Sequence, residues 1–307
     1  IRADAFVGGV GVVGHGLESR GVRFRLPITY GTGERHGALR VRSNADPRNL
    51  IRFVPAKGVD DATSVPSKTE VLSFMGIATH VLVVAAGDVD TSVLAECAAA
   101  DERPRLIAAD GGAARALAAG LVPDLVVGDF DSLAAADRAR LVGLGVELRP
   151  AAPDKDESDM ELCLLSALED GATRVTIVGA MGLVRPEHSV ANILLLADPR
   201  LDGVEVVIAG RGSRLWRIGS TDGSAETRIE GQPGDFVSLF PLDSTVIGVT
   251  TEGLRFPLTD ERLLLGPSRG LSNELITDRA RVITRRGRLL VIHTRRPSAD
   301  AEPGGGN

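Results

Sequence analysis

The sequence predicts an α/β fold: an N-terminal α/β domain built on a parallel sheet, followed by a small antiparallel β-sandwich domain. Two observations carry that reading. Between residues 80 and 210, continuous apolar runs of strand length alternate with alanine- and leucine-rich helical stretches, the pattern of a parallel sheet covered on both faces. Beyond residue 212 the chain changes to short alternating runs broken by Gly, Pro and Asp, the pattern of antiparallel strands.

Residues 1–74 stand apart from both. They are rich in Gly, Arg and Val, lack methionine, and carry 11 basic against 7 acidic residues, in a chain whose net charge is -6. Regular patterning begins after "MGIATH", at Met75. Residues 1–74 are therefore expected to be a poorly ordered extension, or upstream sequence outside the functional protein. The match to G-x-G-x-x-G at Gly9–Gly14, "GVGVVG", is not expected to hold a dinucleotide. Only eight residues precede it and no amphipathic helix follows, whereas the fingerprint needs a strand before and a helix after.

The strands then run "HVLVVAAG", "PRLIAAD", "DLVVGD", "GVELRP", "RVTIVGA" and "VEVVIAG". Helical stretches such as "TSVLAECAAA", "GAARALAAG", "LAAADRARLVGLG" and "SDMELCLLSALEDG" fall between them. This assigns residues 75–212 to the α/β domain. Residues 213–296, with "SAETRIEGQPGDFVSLFPLDSTVIGVTTEGLRFPL" and "RARVITRRGRLLVIHT", form the sandwich. Residues 297–307, "PSADAEPGGGN" from Pro297, are expected to be a disordered tail.

Composition narrows the function. At 43% apolar and 25% charged the chain is that of a globular protein. Its acidic balance, with a pI near 5.5, argues against a nucleic-acid partner, which would need a basic face. No apolar run approaches the roughly 20 residues that span a bilayer, and no secretory signal opens the chain. Cys97 and Cys163 both lie in helical stretches and read as small core residues of a cytoplasmic protein.

Acidic residues recur where strands end. Asp110 closes "PRLIAAD", Asp129 and Asp131 follow "DLVVG", and Asp154, Asp156 and Asp159 follow "VELRP". In an α/β sheet those ends share one rim, outside which ligands bind. If Asp129 and Asp131 stay extended, their spacing of two aims both side chains the same way. A pair of carboxylates about 5 Å apart repels by about 3 kcal/mol at an effective dielectric of about 20. A divalent cation relieves that repulsion, and an all-oxygen donor set suits Mg²⁺. Turn formation alone is the competing account of Asp129 and Asp131. For Ser158 a capping box with Glu161 in "SDME" competes in the same way. In "ADGGAAR", Gly111 and Gly112 permit close backbone approach to a phosphate at a helix start, and Arg115 is one turn in. No G-x-x-x-x-G-K-[ST] occurs, so an ordinary P-loop is absent.

Six motifs in order, "ADGGAAR", "PDLVVGDFDS", "PDKDESDMELCL", "GAMGLVRPEHSVAN", "VTTEGLRFPL" and "GLSNEL", resemble the thiamine pyrophosphokinase (thiamine diphosphokinase) family over residues 80–293. The resemblance implies an α/β domain binding ATP and Mg²⁺, a C-terminal β-sandwich, and a homodimer with thiamine bound between subunits. It implies that Asp110, Asp129 and Asp131 serve the metal and phosphates. Asp156, Ser158 and Asp159 fall on the family's D-x-[ST]-D positions near the nucleotide, and Arg185, His188 and Asn192 fall on its phosphate segment. Ser272 and Asn273 fall on the segment that contacts thiamine. Two departures stand out: "GLVRPEH" replaces the family's G-G-R-x-D-H, with Glu187 for aspartate, and Ala114 stands where asparagine is common.

The reaction so implied moves the diphosphoryl unit of ATP to the thiamine hydroxyl and releases AMP. Asp129 and Asp131 neutralise through Mg²⁺, Arg185 and Arg115 clamp phosphate, and Asp131 or Asp156 accepts the alcohol proton. Trp216, the single tryptophan, is either core or a stacking surface for cationic thiamine. A pterin-type diphosphokinase and a non-catalytic thiamine- or nucleotide-sensing module are the alternatives. "SNE" opposes the first and the full acidic set opposes the second.

Overall fold

The computed structural model describes residues 79–297, apart from 101, 102, 153 and 222, together with four short strands before them. Those four form two antiparallel pairs: β1 (Val13–Ser19) with β2 (Val22–Ile28), and β3 (Arg40–Arg42) with β4 (Leu50–Arg52). β1 begins inside the G-x-G-x-x-G match, where a dinucleotide site would open a helix. The rest of residues 1–74, and with it the expected poor order there, lies outside the described residues. So does the expected tail beyond residue 297.

From residue 80 the expected alternation appears. β5 (His80–Val84), α1 (Thr91–Ala99), β6 (Arg105–Ala109), α2 (Gly112–Ala118) and β7 (Leu125–Gly128) come first. α3 (Ala135–Gly143), β8 (Glu147–Pro150), α4 (Asp159–Glu169), β9 (Arg174–Val178), α5 (Pro186–Leu194) and β10 (Glu205–Gly210) follow. The last four residues of β5 and of β6, and all four of β7, are buried, as strands covered on both faces must be. Burying one Val, Leu or Ile side chain contributes about 1.5–3 kcal/mol, so these runs fix which segments become central strands.

The parallel strands lie in the order β8-β7-β6-β5-β9-β10. The chain moves outward from β5 through β6 and β7 to β8, then returns to the other side of β5 as β9. Strand order therefore reverses between β5 and β9, and such a switch point opens a crevice at the carboxyl ends of the strands.

The sheet does not stop at the expected boundary near residue 212. β10 turns back through Gly210 and Ser213 into antiparallel β11 (Ser213–Ile218). β18 (Leu289–Thr294), β13 (Phe236–Pro241) and β16 (Asn273–Glu274) then extend one continuous ten-stranded sheet. A second sheet, β12 (Ala225–Glu230), β17 (Arg279–Thr284), β14 (Thr245–Glu252) and β15 (Glu261–Leu264), forms the other layer. The expected sandwich is thus two-layered, with one layer continuous with the parallel sheet. Alternation does the work here: every second residue of β13 and β17 is buried. Val237, Leu239, Val246, Val282, Leu289 and Val291 meet between the layers. Trp216, half-buried, packs at the edge of that core, its indole N–H donating to Thr227 Oγ1 at 3.2 Å.

A buried ion network ties the turn after α5 to the β layers. Arg217 and Arg288 are nearly inaccessible, with 5% and 8% of their side chains exposed. Asp202 takes both: Arg217 at 2.9 Å and Arg288 at 3.1 Å. Arg288 also donates to Asp243 at 3.2 Å and to Thr221 Oγ1 at 3.3 Å, and Arg217 to the Asp198 carbonyl at 3.3 Å.

Candidate active site

The site is assembled at the carboxyl ends of β6 and β7. Asp110 follows β6 directly, in the left-handed region (φ 41°), its amide N–H donating to the Val127 carbonyl at 2.9 Å. Gly128, at the end of β7, makes room for it. A Cβ on Gly128 would lie 2.8 Å from the Asp110 Cβ, so the glycine is what lets the first aspartate approach the other two.

The segment from Asp129 to Asp131 does not remain extended. Phe130 adopts a left-handed conformation (φ 64°) and buries its ring among Ala108, Leu117, Val126 and Leu141. The Arg138 guanidinium covers that ring at 5.1 Å from its centroid. The buried phenylalanine is the anchor, and the turn around it brings both carboxylates outward. Asp131 N–H donates to Asp129 Oδ1 at 3.2 Å, so turn formation and convergence occur together and are not alternatives.

One carboxylate oxygen from each of Asp110, Asp129 and Asp131 lies within 4.8 Å of the others. Asp110 Oδ2 accepts from Ser132 N–H at 3.2 Å, and Ser132 Oγ donates to Asp131 Oδ1 at 2.8 Å. Asp110 Oδ1 is buried and, among the described residues, has no hydrogen-bond partner. A buried carboxylate oxygen without a partner is costly, and a bound cation would relieve that cost. Burial pushes the Asp110 carboxyl above the ordinary aspartate value, with Asp159 and Asp131 adding to the rise against hydrogen bonds from Ser132. Three hard oxygens at this separation fit Mg²⁺.

A cleft of about 470 Å³ opens at the switch point, lined by Gly87, Asp88, Asp90, Arg115, Met181 and Arg211 among others. Sequence reasoning singled out only Arg115 of these. The available signal was "AAGD" at the end of β5. A Cβ at Gly87 would fall 2.4 Å from the Gly179 carbonyl oxygen, so the close approach of the segments that follow the paired strands β5 and β9 demands a glycine. Gly112 has a comparable packing reason, since a Cβ there would sit 2.1 Å from the Val84 carbonyl oxygen. Gly111 does not, with no neighbour closer than 3.3 Å.

The remaining candidates divide. Asp159 is half-buried and opens α4 with Ser158 as N-cap, Ser158 Oγ accepting from Glu161 N–H at 3.2 Å. The expected capping box is only half formed, because the Glu161 carboxylate turns to Arg200. Asp156 is exposed. Arg185 is exposed and paired with Glu187 at 2.7 Å, His188 is exposed, and Pro186 occupies the first turn of α5. The longer acid in "GLVRPEH" thus holds the arginine. Asn192 is buried and donates to the Ala180 carbonyl at 2.7 Å, while Ser189 Oγ bonds both Gly182 N–H and its carbonyl. Those two residues brace the loop; Ser189 was not anticipated.

Ser272 is exposed with a left-handed backbone (φ 54°). Asn273 is buried; its amide accepts from the Phe256 N–H at 2.9 Å and the Glu274 N–H at 3.0 Å, and donates to the Phe256 carbonyl at 2.6 Å. Its side chain therefore positions Phe256, a residue 57% exposed.

Comparison with known proteins gives a consistent outcome. Residues 98–208 match the family model for the thiamin pyrophosphokinase catalytic domain. Residues 226–289 match that for the thiamin pyrophosphokinase vitamin B1 binding domain. Together these span more than half of the chain. A thiamine pyrophosphokinase from Bacillus subtilis is 27% identical over 194 residues, covering 63% of this chain and 89% of that protein. The crystal structure of a Bacillus subtilis thiamine pyrophosphokinase superimposes with a TM-score of 0.62 at 26% identity, covering 70% of this chain and 99% of the other. That of a Geobacillus thermodenitrificans thiamin pyrophosphokinase gives 0.60 at 28% identity, covering 71% and 99%.

Proposed function

Because the chain belongs to the thiamin pyrophosphokinase family, we propose that the site at the ends of β6 and β7 carries out diphosphoryl transfer from ATP to the thiamine hydroxyl, giving thiamine diphosphate and AMP. The observation that carries the assignment of the site is the convergence of Asp110, Asp129 and Asp131 around a buried oxygen with no partner. Those three residues hold Mg²⁺, which when bound neutralises the polyphosphate and the charge developing on the leaving oxygen. Asp131 or Asp156, both exposed at this rim, accepts the alcohol proton. Arg115 lies on the cleft wall, where the nucleotide binds, and clamps phosphate. Arg185 joins it on release from Glu187. Gly111, Gly112, Ser158, Asp159, His188 and Asn192 shape or brace this phosphate side.

The test is nucleotide product analysis with thiamine, ATP and Mg²⁺. Thiamine-dependent AMP together with thiamine diphosphate is the expected outcome; ADP with thiamine monophosphate would refute it.

A second check uses the raised carboxyl of Asp110. The unfolded chain ionises this residue at the ordinary aspartate value, whereas the fold ionises it higher. The fold therefore loses stability from this residue as pH rises from the first value through the second. Without divalent cation, Asp110→Asn is expected to gain in melting temperature over the parent as pH rises through that window, and Mg²⁺ is expected to erase the gain. An unchanged difference across pH would contradict the assignment.

Residues 75–212 serve ATP and Mg²⁺, and residues 213–296 serve thiamine. Phe256, pinned by Asn273, carries the Arg255 guanidinium over its ring at 5.5 Å from the centroid, and its opposite face is the one on which a cationic thiazolium stacks; Ser272 precedes Asn273 directly in sequence. Asn273→Ala is expected to raise the KM for thiamine about tenfold, in line with loss of a positioned stacking contact worth about 1–2 kcal/mol, with kcat changed less. Steady-state kinetics checks the split. Exposed Leu271 and Ile276 flank the segment from Ser272 to Glu274 that matches the family's thiamine contact, and exposed Phe256 is held against Asn273, consistent with a homodimer in which thiamine sits between subunits. Sedimentation would test this. Among the described residues no helix is long and apolar enough to cross a membrane. Both cysteines are free, which fits the cytoplasm.

A further inference from the structure

One cation is drawn into the acid rim, and nothing above gives it a task. Lys155 lies in the loop between β8 and α4, and its Nζ donates to Asp159 Oδ1 at 2.8 Å. Only 14% of the Lys155 side chain and 29% of that of Asp159 are exposed. This is not a solvated surface pair of the kind that contributes little. Burial works against the ammonium's charge, but the hydrogen bond to Asp159 and the fields of Asp159, Asp129 and Asp110 outweigh it and hold its pKa above the ordinary lysine value. The ammonium is therefore held by Asp159 and lies within the field of Asp110 and Asp129, two of the three acids that gather around the buried Asp110 oxygen. It carries three donors, one is given to Asp159, and among the described residues no second acceptor meets it.

We propose that Lys155 is a catalytic residue of the transfer, binding the non-bridging oxygens of the β-phosphoryl group with its free N–H donors while Asp159 holds the ammonium in place. This rests on the diphosphotransferase reading above. The charge balance requires such a group. Three carboxylates exceed the charge of one divalent cation before any phosphate arrives, and the polyphosphate adds more of the same sign. A cation already ordered by Asp159 meets that excess without paying side-chain entropy at the moment of binding.

In the reaction, the thiamine hydroxyl oxygen forms its bond to the β-phosphorus as the bond from that phosphorus to the α–β bridging oxygen breaks. The alcohol proton passes to a rim carboxylate, and AMP departs with the electron pair of the broken bond. Lys155 keeps its proton throughout and holds the negative charge of the moving group, which is the main task of a protein in phosphoryl transfer.

Calorimetric titration of the full chain decides the matter, with Mg²⁺ present, using AMP and an ATP analogue whose α–β bridging oxygen is replaced by methylene. Lys155→Met is expected to weaken the analogue about tenfold or more, the loss of a charge-assisted hydrogen bond, while AMP, which lacks the transferred unit, changes less than about twofold. Lys155→Arg should recover much of the analogue binding. Lys155→Gln serves as the neutral variant if the methionine form does not fold. Equal losses for analogue and AMP, or no loss for either, would overturn the proposal and leave Lys155 as a brace for Asp159. A parent chain that binds neither ligand would remove the diphosphotransferase reading itself, a different result from a parent that binds the analogue and a variant that binds it as well.

Discussion

Asp129→Asn is expected to lower kcat about a thousandfold, the scale on which loss of a central electrostatic contact slows such chemistry. The substitution keeps volume and hydrogen-bonding shape, so Asp129 Oδ1 can still accept from the Asp131 N–H that sets the turn. What it removes is one charge of three around the buried Asp110 oxygen. Thiamine binding is expected to persist, because Phe256 lies in the loop between β14 and β15 and Asn273 on β16, not at this rim. The measurement is thiamine-dependent AMP release beside equilibrium thiamine binding. Turnover kept within about tenfold of the parent would take Asp129 out of the metal set. Loss of both turnover and binding would point to a disturbed fold.

Asp202→Ala is expected to cost about 3 kcal/mol of stability. Removing one partner from a buried pair strands the other charge, for which the cost runs to about 3–5 kcal/mol. The low end applies because a third of the Asp202 side chain is exposed. The stranded groups are Arg217 and Arg288, both nearly inaccessible, and Arg288 retains Asp243. For a folded unit of this size the loss corresponds to a melting temperature lower by roughly 6–12 °C. Thermal denaturation checks it. A shift below about 2 °C would mean that water or Asp243 takes over the contact.

The strand and helix alternation was legible because buried strands need unbroken apolar runs, and the chain writes them plainly from His80 to Gly210. The acid rim was legible as well, since Asp110, Asp129 and Asp131 each follow such a run. Their route to convergence was not. It depends on a left-handed Phe130 whose ring goes inward, and on the missing Cβ of Gly128. Neither has a spacing signal. Asn192 and Asn273 carried a family motif, but their amides are spent on the Ala180 carbonyl and the Phe256 backbone. A motif reports a required residue without saying whether it touches ligand or holds what does. The cleft at the switch point was missed for a topological reason. Nothing in the local sequence says that β9 returns to the far side of β5, and only that return places Gly87 and Met181 on one wall.

The position of β18 in the ten-stranded sheet has a consequence for how the protein is made. Leu289–Thr294 is the last strand in chain order among the described residues, yet it lies between β11 and β13 and pairs with both. On a ribosome, β11 emerges about 70 residues before its neighbour, and at about 5–20 residues per second the gap lasts several seconds. Throughout that interval β11 presents an unpaired edge, and the apolar residues that β18 will cover stay open. Such edges invite pairing with other chains. Nascent chains are therefore at their most aggregation-prone between the emergence of β11 and that of β18, when most strands of both layers are already present. A stop codon shortly before Leu289 therefore leaves β11 and β13 without the strand that joins them.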